Sequence, residues 1–193
     1  MKIKEYYKYR WFYTSAGTLV IGGKNARQND ELLSKMLSMK KKYYVMHTSH
    51  PGSPFSVIIK DIKKVKEEEI EECAIFTGCF SRAWREQRKK TRVDIFTTPQ
   101  ISKTSDMKDG MWRVAGKIKK TDVELKLALV KQKGVLRAVP IGKVKKKNTL
   151  IKIYPGSVDK EQMAVKFGVA LGDKFTHVEL MAALPAGGVK IYT

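Results

Sequence analysis

The densest grouping of chemically capable side chains is His47-Thr48-Ser49-His50, followed by Pro51-Gly52-Ser53. Two histidines three residues apart could supply two metal ligands. A zinc site wants three or four, and the remaining histidine, His177, lies far along the chain. The segment suits contact with a phosphate or a base through His47, His50, Ser53 and backbone N–H groups; a plain connecting loop is the alternative. No Ser/His/Asp spacing assembles into a triad, and no nucleophile elbow, HExxH or paired carboxylate motif appears. A non-catalytic role is therefore expected, without metal or cofactor. The rival is a metal-assisted nuclease or nucleotide-modifying enzyme using His47 and His50.

Residues 22–30, GGKNARQND, form the second grouping. The glycines permit positive φ and close backbone approach, and the helix N-terminus that follows favours an anion. Asn25, Gln28 and Asn29 add amides able to hydrogen-bond in defined directions. The pattern is not a GxxxxGK[ST] loop, so it reads as a glycine turn with an Asn cap that also suits RNA contact. Residues 81–92, SRAWREQRKKTR, carry six basic side chains and one acid. Helix-dipole compensation accounts for some of these, and the excess, including Arg82 and Arg85, suggests phosphate contact. In the polar segment 102–110, Lys103 with the hydroxyls of Ser102 and Thr104 could hold a phosphate.

The elements that position these groups follow from periodicity. YRWFYTS and TLVIGG read as two strands joined by a turn at Ser15-Ala16-Gly17. Residues 25–39 read as an amphipathic helix through Leu32, Leu33, Met36 and Leu37, closed by Lys40-Lys41-Lys42. YYVMH and FSVIIK read as strands flanking the His47 loop. A helix is predicted over 67–84, with a stripe of Ile70, Ala74, Thr77, Phe80 and Trp84, an acidic start and a basic end. RVDIFTT, GMWRVAGKI and VELKLALVKQ read as strands, the last two separated by a lysine-rich turn. GVLRAVP and TLIKIYP bracket a basic loop at 143–147. A helix over 159–171, an apolar stretch over 178–184 and a strand GGVKIY complete the chain. The expected class is α+β, a mainly antiparallel mixed sheet packed by two or three helices.

Net charge narrows the partner. The chain holds 39 Lys and Arg against 19 Asp and Glu, a formal +20 over 193 residues. Such an excess costs self-repulsion, which a polyanion offsets through counterion release. RNA, DNA, an anionic membrane surface and an acidic protein all qualify on charge. Cys73 and Cys79 lie six apart on a predicted helix, about 600° around its axis, so they read as separate core thiols. Sparse cysteine suits a reducing cytoplasm. MKIKEYYKYR is too polar for a signal peptide, and no apolar run is long enough to span a membrane.

Taken in order, these segments resemble the NFACT-R domain family. LVIGGKNARQNDEL, residues 19–32, carries the most specific match. The opening Trp11-Phe12 strand, YVMH, PGSPFSVIIK, FSRAW and TPQISKT follow the family's succession, and Gly110, Gly116 and Lys117 fit its next region in part. The resemblance covers about residues 9–120. YPGSVDKEQMA and LPAGGVKIY look like the C-terminal region of archaeal full-length members. The resemblance implies an RNA-binding module acting on tRNA or ribosomal RNA, with the large ribosomal subunit as a further partner and no membrane. Full-length relatives, the NFACT proteins of ribosome-associated quality control, bind tRNA and large subunits carrying stalled chains. They also carry an N-terminal domain, helix-hairpin-helix elements and a coiled coil, so this chain reads as a stand-alone R domain or a fragment. The expected organisation is an RNA-binding domain over 1–120 and an α/β extension over 121–193 packed on it. The expected RNA contacts are the cations Lys24, Lys60, Arg82, Arg85, Lys103 and Lys117 and the polar groups Asn25, Gln28, Asn29, His47, His50, Ser53 and Thr104. A DNA-binding or protein-interaction domain is the second rival.

Overall fold

The computed structural model describes residues 5–39, 41–141 and 149–191; Lys40 and the expected basic loop at 143–147 lie outside them. The aromatic and β-branched opening forms β1 (Arg10–Tyr13) and β2 (Leu19–Gly22), an antiparallel hairpin turned at Gly17. Asn25 caps α1 (Ala26–Leu37), which buries Leu32, Leu33 and Met36. β3 (Tyr44–Thr48) and β4 (Ser56–Ile58) flank the next loop. α2 (Glu67–Cys79), α3 (Arg82–Arg85) and β5 (Lys90–Thr97) follow, then the short strands β6 (Ile101–Ser102) and β7 (Arg113–Val114). β8 (Lys119–Glu124), β9 (Leu127–Gln132), β10 (Val135–Pro140) and β11 (Ile151–Val158) come next. α4 (Lys160–Ala170), α5 (His177–Ala183) and β12 (Val189–Lys190) finish the described chain.

Two antiparallel sheets result, ordered β1-β2-β4-β3-β5-β8 and β10-β9-β11-β12, with β6 and β7 as a small separate pair. The α+β, mainly antiparallel expectation holds. Five helices rather than two or three appear among the described residues, because α3 and α5 run only four and seven residues. Strand alternation sends Ile21, Val45, Val57 and Phe96 of the larger sheet toward α1. The opposite face, with Phe12, Val20, Met46, Ile58 and Val93, packs on α2. Among the described residues no helix is long and apolar enough to cross a membrane.

Two expectations need correction. The single helix over 67–84 breaks after Cys79, where Ser81 caps a new turn by accepting the Ala83 N–H at 3.1 Å. Nor is its apolar surface one stripe: from Glu69 to Cys79 every residue but Glu71 is buried. The stripe rule assumes a helix with one wet face, whereas α2 lies between the larger sheet and β10. The lysine-rich turn is also displaced. Lys119 and Lys120 lie within β8, paired with Ile95 and Asp94, and the break falls at Leu125-Lys126 instead.

Burying α2 buries two of its carboxylates, and each finds distant partners. Glu69, 0% exposed, accepts from Lys60 Nζ and from the Lys66 N–H, both at 2.9 Å. Glu72 accepts the Ser15 N–H at 2.8 Å and the Ser15 hydroxyl. Cys73 and Cys79 are free core thiols, and burial pushes both above their ordinary value.

The sheets meet at the β1 edge. Gln132 Oε1 accepts the Tyr13 N–H and Gln132 Nε2 donates to the Tyr13 carbonyl, each at 2.8 Å. A side-chain amide thus takes the place of a neighbouring peptide and covers an otherwise unpaired edge. One hydrophobic cluster runs from Phe12 through α2 to Leu127, Phe167 and Val189.

Candidate nucleic-acid interface

The 22–30 segment is built by its own amides. Asn25 Oδ1 accepts the Gln28 N–H at 2.9 Å, and Gln28 Oε1 accepts the Lys24 N–H at 3.0 Å. Buried Asn29 accepts the Phe55 N–H at 3.1 Å, tying α1 to the start of β4. A Cβ on Gly23 would lie 2.2 Å from Asn29 Oδ1, so only glycine lets that amide through. Three of the expected contact residues are thereby engaged in shaping the turn, and the side chain it presents is Lys24. Lys24 is exposed and forms no ion pair among the described residues. Burial, then the charges of Arg10 and Arg137, push its pKa down.

His47 lies in β3, not in the following loop. Its ring rests on Phe55, with centroids 4.5 Å apart. Its Nδ1 is 2.7 Å from the Thr48 carbonyl, which can only accept, so Nδ1 carries the proton. Burial lowers its pKa, against the Thr48 carbonyl and Asp94, and the ring is neutral at neutral pH. Ser49 donates directly to Asp94, the cross-strand partner of His47. No histidine stands between hydroxyl and carboxylate, so these three do not form a nucleophile-activating relay. Ser53 Oγ accepts the Thr48 N–H at 2.9 Å and shapes the loop.

The 103–112 loop is gathered by Asp30. That carboxylate accepts from Lys103 Nζ at 2.8 Å, the Gly110 N–H at 3.0 Å and Trp112 Nε1 at 2.7 Å. Burial alone would raise the Asp30 pKa; Lys103, Gly110 and Trp112 together bring it below the ordinary value. Gly110 has φ +77°, and a Cβ there would lie 2.8 Å from that of Ala26.

These three segments and α3 enclose a cleft of about 670 Å³. Of the expected residues, Lys24, Asn25, Asn29, His47, Ser53 and Arg85 line it, with Phe55 and Trp112 among its apolar surfaces. His50 and Arg82 lie outside it, on a neighbouring surface with Arg88. Lys60 and Lys103 are held by Glu69 and Asp30. Gln28, Thr104 and Lys117 do not line the cleft, and Thr104 and Lys117 are exposed. His47 and His50 therefore face different surroundings, and among the described residues no group of three or more His, Cys, Asp or Glu could hold a metal.

Sequence reasoning missed Arg10, which lines the cleft, and Arg137, which stands beside it. Isolated cations in strands carry no local signal. It also missed Asp30 as the organiser of the 103–112 loop, because its partners lie 73 to 82 residues away.

Residues 8–116 match the family model described as the NFACT protein RNA-binding domain. Over 97% of its length the chain is 28% identical to the archaeal Rqc2 homolog aRqcH of Methanocaldococcus jannaschii, of which it spans 29%. It is also similar to the solved C-terminal part of the fibronectin/fibrinogen-binding protein from Streptococcus suis. There the TM-score is 0.54 and the identity 26%, over 60% of this chain and 45% of that one.

Proposed function

The chain belongs to the NFACT protein RNA-binding domain family, and from that premise we propose that it holds structured RNA in the cleft between the Lys24 turn, the end of β3 and α3. The observation that carries this is the meeting of Lys24 and Arg85 at one cleft, both exposed and neither in an ion pair among the described residues. Exposed cations without carboxylate partners are free to exchange counterions for phosphates. The stacked pair His47 and Phe55 gives the cleft an apolar, uncharged surface against which an unpaired base can rest. The cleft's volume lies within the range of ligand sites, about 300–1,000 Å³.

The RNAs we assign are tRNA and large-subunit ribosomal RNA, in cytoplasmic translation or ribosome-associated quality control. The likeness to the archaeal Rqc2 homolog supports that setting. The module is non-catalytic in this reading. The His47 Nδ1 proton is engaged by a carbonyl, Ser49 is engaged by Asp94, and His50 stands outside the cleft. Residues 121–193 serve as an extension of the same RNA-binding unit, sharing its hydrophobic cluster.

Binding of fluorescent tRNA, followed by anisotropy over a salt series, tests this. Affinity should fall steeply with salt, and Lys24→Glu with Arg85→Glu should weaken it at least tenfold while thermal unfolding stays unchanged. Unchanged affinity in a folded double variant would remove the cleft from the assignment. Equal or tighter binding of duplex DNA at matched salt would overturn the RNA reading.

A further inference from the structure

Beside the cleft, Arg10, Lys24 and Arg137 line one narrow crevice, backed by Trp11 and Phe80. Arg10 and Lys24 also line the cleft, so the crevice adjoins it. Arg10 opens β1 and Arg137 lies on β10, which packs against β1. Each guanidinium sits over an aromatic ring: Arg10 Cζ is 4.9 Å from the Phe80 centroid and Arg137 Cζ 4.4 Å from that of Trp11.

What this arrangement lacks is an anion. None of the three cations forms an ion pair among the described residues, and Arg137 Nε is buried without a hydrogen-bond partner. Both arginines are half-buried. Burial pushes their pKa values down, yet an arginine remains charged in proteins. The pKa of Lys160, in the first turn of α4, is lowered by burial and then by Arg10, against the neighbouring Asp159. Gathering like charges in partly dry surroundings opposes folding; the ring contacts offset part of that cost, and among the described residues no carboxylate forms an ion pair with Arg10, Lys24 or Arg137. A bound oxyanion would offset the rest. Guanidiniums backed by aromatic rings keep their N–H edges free for bidentate contact with phosphate. The crevice holds only about 10 Å³, too little for a base, so its cations would act from the rim.

We propose that Arg137, with Arg10 and Lys24, grips the sugar–phosphate backbone of the RNA strand held in the neighbouring cleft, so that the segment beyond the family-matched residues takes part in binding. This rests on the RNA-binding reading above. The recognised group is a phosphodiester, and Arg137 is the member that residues 8–116 do not contain.

The test is tRNA anisotropy over a salt series with Arg137→Gln, Arg137→Lys and Arg137→Met, each checked for thermal unfolding. Met keeps an apolar contact on Trp11, so the comparison survives if Gln fails to fold. Gln and Met should weaken binding about three- to tenfold. They should also lower the slope of log K against log salt by about 0.7–0.9, the value of one lost phosphate contact. Lys should retain most of that slope. Folded Gln and Met variants with unchanged affinity and slope would overturn the proposal. If the Arg137 variants bind as the wild type does while the Lys24/Arg85 double variant does not bind, the crevice alone is removed. If the wild type shows no salt-dependent RNA binding, the RNA reading itself falls. Tripolyphosphate tells the sources apart. Competition with tRNA that disappears in Arg137→Met supports a backbone grip. Tripolyphosphate binding that depends on Arg137 but leaves tRNA bound would mark a free-phosphate site and overturn it.

Discussion

The indole N–H of Trp84 donates to the carbonyl of Gly188 at 3.0 Å, across 104 residues of chain. Trp84 is fully buried, so this bond pins the segment before β12 onto α3 beside the cleft. Trp84→Phe removes the donor and leaves the carbonyl with one partner fewer. The expected cost is about 1–3 kcal/mol, read as a fall in Tm of roughly 2–4 °C per kcal/mol for a chain of this size. An unchanged Tm would show that water replaces the bond.

Asp30 should control the 103–112 loop. Its folded pKa lies below the ordinary 3.8, so its contribution to stability is present above that pH and is lost as pH falls through the folded value. Buried Glu69, held down by Lys66, Thr18 and Lys60 against the upward pull of burial, behaves alike below 4.5. Glu72 is raised by burial and has the opposite sign: its contribution is present below 4.5 and lost as pH rises through its folded value. Asp30→Asn should cost about 1.5–3 kcal/mol per charged hydrogen bond lost. It should also speed amide exchange at Gly110 and remove part of the acid-limb loss in unfolding curves.

Lys60 separates a structural cation from an RNA contact. It is 27% exposed and paired with a carboxylate that is 0% exposed. Lys60→Met should destabilise the fold by about 3–5 kcal/mol by leaving that charge alone, and Glu69→Gln in the same chain should recover much of it. Affinity for tRNA in the folded double variant should match the wild type; a tenfold loss would make Lys60 an RNA contact after all.

His47 should act as a neutral ring. Its folded pKa lies below 6.5, so its stability contribution is present above that pH and lost as pH falls through the depressed value. Unfolding followed from neutral pH downward should contain a component that His47→Phe, which keeps the contact with Phe55, abolishes. Affinity for tRNA should stay flat from 6.5 upward. A His47-dependent rise on approaching 6.5 from above would mean that the ring binds phosphate as a cation.

Local signals made much of the molecule legible. The aromatic hairpin, the Asn25 cap and the strands flanking 49–55 follow from turn residues and alternation acting over a few positions. The glycine-rich motif located the turn, but its amides proved to be the frame around Lys24. What stayed hidden was non-local. Glu69 and Glu72 read only as part of an acidic helix start because their partners, Lys60 and Ser15, come from other elements. Lys119 and Lys120 read as a turn because β8 is an edge strand, where neighbouring lysines stay exposed on either side. Arg10 and Arg137 meet only because β10 packs against β1, a relation that no periodicity encodes.

The hydrophobic cluster that begins at Phe12 closes on Val189. Synthesis of this chain therefore runs almost to its last described strand before the interior can seal. α2 gains its second sheet when β10 is made, and Phe167 and Val189 join the same cluster later still. A nascent chain of this topology exposes apolar surface until those late elements are made, the condition under which chains are most prone to aggregate.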